Sequence, residues 1–240
     1  MAKAASFSIR PIMLLAAAVS LPTWTIWAGS FITYWFAYPV FNSVLLHHKQ
    51  YARLDQDRRQ YVISNLLKAI LLGVFSVVMI DLVLDLVLHS LWDGPTMKVL
   101  APLYVNLDVV SLFRVKRMMR STMVHHVLVA IFGMVVAYFP VRPGTVTGHI
   151  CIYALFSMLA YFVNGFLALR FLSSGNNRKF INVVARACGA GYLAICVIHW
   201  LFHAYNMYLY WTTLWFLPVC FIGFIYDDLV LMTWLFRFKM

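Results

Sequence analysis

Glutamate is absent from the chain, and its only acids are eight aspartates in 240 residues. Charged residues of all kinds reach 11%, against roughly 25% in an ordinary soluble domain. Hydrophobic residues make up 63%, against roughly 45–50%. So few charges cannot cover that much apolar surface in water, so a water-soluble enzyme is excluded. Cysteine is sparse and unpatterned. Cys151, Cys188, Cys196 and Cys220 sit in apolar runs with no CxxC pair and no metal-like spacing, and read as small buried hydrophobes. No internal repeat, low-complexity tract or long linker occurs, so nothing marks a second domain.

What is present is a series of long apolar runs. A hydrocarbon core of roughly 30 Å needs about 20 helical residues. On that scale the chain divides into seven spans, at about 22–46, 62–90, 98–115, 121–140, 147–171, 181–204 and 208–236. The expected fold is an all-α polytopic membrane protein, a seven-helix bundle. Residues 1–21 are expected to form an interfacial segment and 22–240 a single transmembrane domain. Ile12 to Ser20 is too short to cross, and Lys3 and Arg10 with no acid before Asp55 give a weak transit-like pattern; the segment is read as staying with the chain. Pro22 suits the first turn of span one, while Pro39 and Pro218 fall inside spans one and seven as tolerable kinks.

The net charge of +11 gives the bundle its orientation. Fifteen of the nineteen cations fall on alternate connections: Lys49, Arg53, Arg58, Arg59 and Lys68; Arg114, Lys116, Arg117 and Arg120; Arg170, Arg178, Lys179 and Arg186; Arg237 and Lys239. The other side holds Lys3, Arg10, Lys98 and Arg142. The positive-inside rule makes the first face cytosolic or matrix-facing, with the C-terminus on it and the N-terminus opposite. In a membrane protein such an excess points to anionic lipid rather than nucleic acid. Arg58, Arg59, Arg114, Lys116, Arg117, Arg120, Arg178 and Lys179 are the candidate headgroup contacts.

Ionisable groups at membrane depth are costly and ask for a partner or a purpose. Asp108 precedes Arg114 by six residues, and His125-His126 follow Arg120 by five and six, so these groups share a depth of roughly 8–9 Å from the basic face. Ser64, Asn65, Lys68, Asn164, Arg186, Asp227 and Asp228 recur in the same half. Together they suggest a polar pocket opening toward the basic side, alongside the alternative of a structural network in which Asp227 or Asp228 pairs with Lys68 or Arg186. Neighbours on a helix point about 100° apart, so only one of the two histidines is expected to face the pocket.

A second cluster lies toward the other face. Asp81, Asp85 and His89 fall at i, i+4, i+8, His199 and His203 form an HxxxH pair, and His149 opens span five. Such spacing is compatible with a metal, but an acidic stripe on turns projecting into water is the simpler reading, and no metal or other cofactor is expected. A retinal protein is excluded because span seven carries only the terminal Lys239, and a G-protein-coupled receptor because its acidic-Arg-aromatic and Asn-Pro motifs are missing.

The stretch Tyr104-Val105-Asn106-Leu107-Asp108, followed by basic residues and Met123-Val124-His125-His126-Val127-Leu128, resembles the TLC-domain family, which includes the ceramide synthases and the translocating-chain-associating membrane protein. Ser64 after Asp57-Arg58-Arg59, and Asn164 with Arg170, are similar to further family elements. The likeness extends loosely over 55–236 and is specific only over about 104–128. It implies that His126 or His125 is an acyl-handling base oriented by Asp108. The sequence departs from the ceramide synthases after the pair: Val127 to Phe139 is apolar, and the polar signature and acidic cluster are missing.

The expected function is therefore that of a non-catalytic TLC-like membrane protein. It binds lipid, with a cardiolipin-like phospholipid or an acyl lipid as candidates, or serves as an accessory (supernumerary) subunit of a larger hetero-oligomeric membrane complex, for example a respiratory one. The mitochondrial inner membrane and the endoplasmic reticulum are the two candidate locations. The alternative is a lipid acyltransferase of ceramide-synthase type acting on an amine or alcohol through the His-His pair. A transporter lacks the inverted repeat and broken-helix pairs that would support it.

Overall fold

The computed structural model describes residues 21–89, 91–174 and 177–239. Apart from Leu21, the expected interfacial segment 1–21 lies outside them, as do Lys3 and Arg10. The described chain is helical, with no strand among the described residues. Its elements are α1 (Thr23–Leu45), α2 (Lys49–Ala52), α3 (Gln56–His89), α4 (Gly94–Arg114), α5 (Arg120–Tyr138), α6 (Val146–Met158), α7 (Tyr161–Leu172), α8 (Arg178–Leu209), α9 (Trp211–Leu214) and α10 (Leu217–Arg237).

Five of these are long and apolar enough to cross a membrane: the Gln56–Val77 part of α3, and α4, α5, α8 and α10. Helices α6 and α7 make a sixth if read as one span, bent by 45° across Leu159-Ala160. The seven expected spans thus reduce to five or six on apolarity. Helix α1 carries no charge over its 23 residues but is not among these candidate spans. Span seven is also shorter than expected, because α8 runs on to Leu209 and α9 intervenes. Pro218 consequently opens α10 at its first turn, where a missing N–H is harmless, instead of kinking a span. Pro39 does lie inside α1.

Local chemistry places the helix ends. Asp55 accepts from the Arg58 N–H at 2.8 Å, which starts α3 six residues before the apolar run. Asp93 accepts from Thr96 N–H ahead of Pro95, and Thr145 caps α6 through Gly148 N–H. Gly144, in the turn before α6, has φ +68°, and a Cβ there would strike the Tyr210 ring at 2.7 Å. Gly133 lets α5 press onto α4 and α1, since a Cβ would lie 2.6 Å from Val105 and 2.8 Å from Trp27.

The packing inverts that of a soluble domain. Trp24, Phe36, Val74, Val77, Tyr138, Val219 and Ile222 face outward, while Asn106, Asp108, Ser111, His126 and Asp228 are buried. Outward apolar side chains with inward polar ones suit a hydrocarbon solvent. Helices α1 and α4 run parallel: Asn106 donates to Trp27 O at 2.7 Å, and Arg114 donates to Trp35 O at 3.1 Å. Helices α3 and α4 run antiparallel, with Ser64 against Ser111 and Lys68 against Asp108. The start of α3, the end of α4, the start of α5 and the ends of α7 and α10 therefore lie at one end of the bundle. Arg117–Asp57, Arg170–Tyr61 and Thr122–Asp227 contacts join them there.

Candidate functional site

A cavity of about 500 Å³ opens at that basic end. Tyr104 and Asp108 stand four residues apart on one face of α4 and both line it. Asn106, between them, turns the other way and donates to Trp27 O and Ser30 Oγ of α1. The YxNxD pattern thus places two side chains in the cavity and one against the neighbouring helix.

The deepest polar feature is a three-residue cluster. Lys68 Nζ lies 2.5 Å from Asp108 Oδ1 and 3.3 Å from His126 Nε2, and His126 Nδ1 lies 3.1 Å from the same Asp108 oxygen. All three side chains are buried. An ammonium only donates, so His126 Nε2 accepts and the ring proton resides on Nδ1, toward Asp108. Lys68 occupies Nε2 of His126, while Nδ1 faces Asp108 at 3.1 Å outside hydrogen-bond geometry.

His125 is different. Its Nδ1 lies 3.4 Å from Asp227 Oδ2, an ion-pair distance outside hydrogen-bond geometry, and Nε2 forms no hydrogen bond among the described residues. The ring lines the same cavity, 5.6 Å from His126 and 5.1 Å from Phe224 between centroids. The expectation that only one histidine faces the pocket is corrected here. The cavity is broad enough to meet both faces of α5, and each imidazole turns to a different carboxylate, His126 to α4 and His125 to α10.

The remaining polar groups are satisfied locally. Thr122 donates to Asp227 at 3.2 Å; Tyr192 and Trp200, both from α8, donate to the two oxygens of Asp228. Asp227 and Asp228 therefore do not pair with Lys68 or Arg186. Ser64 donates to Ser111, which in turn donates to Leu107 O, and Asn65 donates to Tyr61 O. Ser64, Asn65, Lys68, Tyr104, Asn164, Asp227 and Asp228 all line the cavity. Arg186 does not; it is exposed on α8. Tyr192, Trp200 and Thr122 escaped the sequence reading because a phenol, an indole and a threonine are unremarkable in an apolar run until a carboxylate is found opposite. Tyr153 and Ser157, also in the lining, share a helix face at i, i+4 and could have been read as such.

The cations at the mouth divide into two groups. Arg58 pairs with exposed Asp55, and exposed Arg117 with half-buried Asp57, all at the cavity rim. Arg59 donates to Ala52 O and lies over Tyr51, whose hydroxyl is pushed by burial up to about 12 and donates to Asn42. Arg114 sits 3.8 Å over the Trp35 ring, so Arg59 and Arg114 are committed to the protein rather than to headgroups. Lys116, Arg120, Arg178 and Lys179 are exposed. Arg170 is enclosed by Trp234, Phe171 and Tyr61 at 4.4, 4.6 and 5.6 Å, and forms one wall of the mouth.

Asp108, His125 and His126 present ligand atoms within 4.8 Å of one another, a geometry that can hold a metal ion. The Lys68 ammonium already stands against two of these three residues and supplies a positive charge there. Toward the opposite end, Asp81, Asp85 and His89 are exposed, with His89 3.3 Å from Asp85. His149, His199 and His203 are buried together. No protein-family model, curated protein or solved structure matches the chain.

Proposed function

We propose that this chain is an integral membrane protein that holds an acyl lipid in the cavity, with its headgroup at the basic mouth and its tail along the aromatic interior. The observation that carries this is the continuity of the cavity from Asp57, Arg58 and Arg117 to Leu72, Tyr153, Phe156 and Ile195. Leu72 lies fourteen residues beyond Arg58 on α3, roughly 21 Å by helical rise. A site charged at one end and apolar at the other matches an amphiphile, and each buried methylene of its chain contributes about 0.8 kcal/mol.

The topology that accompanies this reading has seven crossings. Helix α1 keeps an eight-residue step with α4, Trp27 to Trp35 against Asn106 to Arg114, so it runs beside a crossing helix in the same direction. The basic ends then face the cytosol or the mitochondrial matrix and the N-terminus the other side. Of the expected headgroup contacts, Lys116, Arg120, Arg178 and Lys179 are exposed and placed to meet anionic, cardiolipin-like headgroups. Membership of the TLC-domain family is part of the proposal and rests on the Tyr104–Asp108 and His125-His126 motifs.

A second reading, acyl transfer to an amine or alcohol, is favoured by one specific observation: the open Nε2 of His125. In that reaction His125 Nε2 takes a proton from the attacking amine or alcohol as its nitrogen or oxygen bonds to the acyl carbon. The C–S bond of the thioester breaks, and the thiolate takes the proton back from the imidazolium. Asp227 orients the ring, in place of the Asp108–His126 pairing that the resemblance implies.

Gentle purification from native membrane, followed by mass spectrometry of bound lipids and proteins, tests both readings. Stoichiometric acyl lipid is the expected result; a preparation free of acyl lipid contradicts the proposal. An accessory-subunit role adds a fixed set of partner proteins. Turnover that survives in His125→Ala eliminates the catalytic reading.

A further inference from the structure

Of the three histidines toward the far end of the bundle, His199 touches the lipid cavity and His149 and His203 do not, and their shared environment is unusual. His149, His199 and His203 are 1, 5 and 1% exposed. Both ring nitrogens of His149, both of His203, and Nε2 of His199 are buried without a hydrogen-bond partner among the described residues. Their neighbours are rings: Tyr153 lies 4.9 Å from His199, Phe221 4.6 Å from His203, and Tyr210 6.3 Å from His149. An orphaned buried donor or acceptor is costly, and a bound ion would satisfy one nitrogen on each of the three rings.

We propose that His149, His199 and His203 form a binding site for a divalent transition-metal ion of the zinc type. The spacing supports it twice over. His199 and His203 stand at i, i+4 on α8, so one ion can reach both, and α6 brings His149 from the side. In a tetrahedral three-imidazole site with bonds of about 2.0–2.1 Å, ring centroids lie roughly 5 Å apart. The observed separations are 4.6 Å for His199–His203 and 5.9 Å for His149–His203, and the ring nitrogens as they stand are not yet all within 4.8 Å of one another. Rotation about the broad imidazole χ2 torsion turns the nitrogens toward a common centre. Imidazole is the ligand class that suits Zn²⁺, Cu²⁺ and Ni²⁺ and rejects Mg²⁺ and Ca²⁺. His199 also lines the lipid cavity, which places the proposed site beside it.

The competing cluster is Asp108, His125 and His126, and the test separates the two. Purified full-length protein is loaded with Zn²⁺ or Co²⁺, freed of excess, and assayed for metal content and for the visible bands of tetrahedral cobalt. One ion per chain is expected. His203→Gln and His149→Gln should each weaken it by roughly 100-fold, as loss of a ligand is at least as severe as loss of a supporting group. His125→Gln should leave it unchanged. Wild-type protein with no stoichiometric ion, an ion that survives the His149→Gln/His203→Gln pair, or one lost in His125→Gln overturns the proposal. Electron paramagnetic resonance of the Cu²⁺-loaded wild type needs no variant: hyperfine coupling to three imidazole nitrogens is expected, and coupling to fewer contradicts it.

Discussion

Removal of the Lys68 ammonium is the perturbation with the sharpest physical consequence. Lys68→Met keeps most of the volume but leaves Asp108, 3% exposed, with only His126 against it. Breaking one partner of a buried ion pair costs about 3–5 kcal/mol, because the remaining charge is neither solvated nor paired. Replacing both members by apolar groups of similar shape is often close to neutral. Lys68→Met/Asp108→Leu should therefore be far more stable than either single change implies, with a coupling of about 2–4 kcal/mol. Unfolding followed by tryptophan fluorescence in detergent micelles would measure it. A loss of 3 kcal/mol corresponds to a midpoint lower by roughly 6–12 °C for a chain of this size. Additive single and double variants would refute the reasoning, because they would show that the two charges do not stabilise one another.

The Arg117–Asp57 pair, whose arginine is exposed, provides the contrast: Arg117→Gln should change stability by no more than about 1 kcal/mol in the same assay. Gly133→Ala places a methyl group 2.6 Å from Val105, and overpacking there should cost about 1–3 kcal/mol by the same denaturation midpoint. Trp35→Leu removes the ring beneath Arg114, a cation–π contact expected to be worth about 1–2 kcal/mol when desolvated. Single cysteines at Lys116 and Arg142, introduced into a chain with its four native cysteines replaced, should be labelled by impermeant thiol reagents from opposite sides of the membrane. Labelling of both from one side would overturn the topology.

The sequence exposed the helical class and the belt of polar residues because hydrocarbon makes both expensive to misplace. A run lacking charge must be long to cross, and an aspartate within it must find a partner. Helix interruptions were harder to see. Nothing in Leu159-Ala160 distinguishes it from the apolar residues around it, yet α6 and α7 bend by 45° there. The partners of each buried charge were also hidden, since they come from other helices. Lys68 meets Asp108 rather than Asp227 or Asp228 because α3 and α4 are antiparallel neighbours, a fact of packing rather than spacing. The same holds for the His pair, whose two rings reach one cavity only because α4 and α10 flank α5 on different sides. Arg186 shows the converse: its depth suited the polar belt, but its azimuth on α8 faces outward.

The central claim is that a lipid tail occupies the interior of the bundle. The most direct measurement is photo-crosslinking in native membrane with a fatty acid carrying a diazirine near the end of its chain, followed by peptide mapping of the adducts. The account predicts adducts on the inward residues Leu72, Tyr153, Phe156 and Ile195, and their loss when Ala160→Phe fills the cavity. Adducts confined to outward residues such as Val74, Val77, Val219 and Ile222, unchanged by Ala160→Phe, would contradict it.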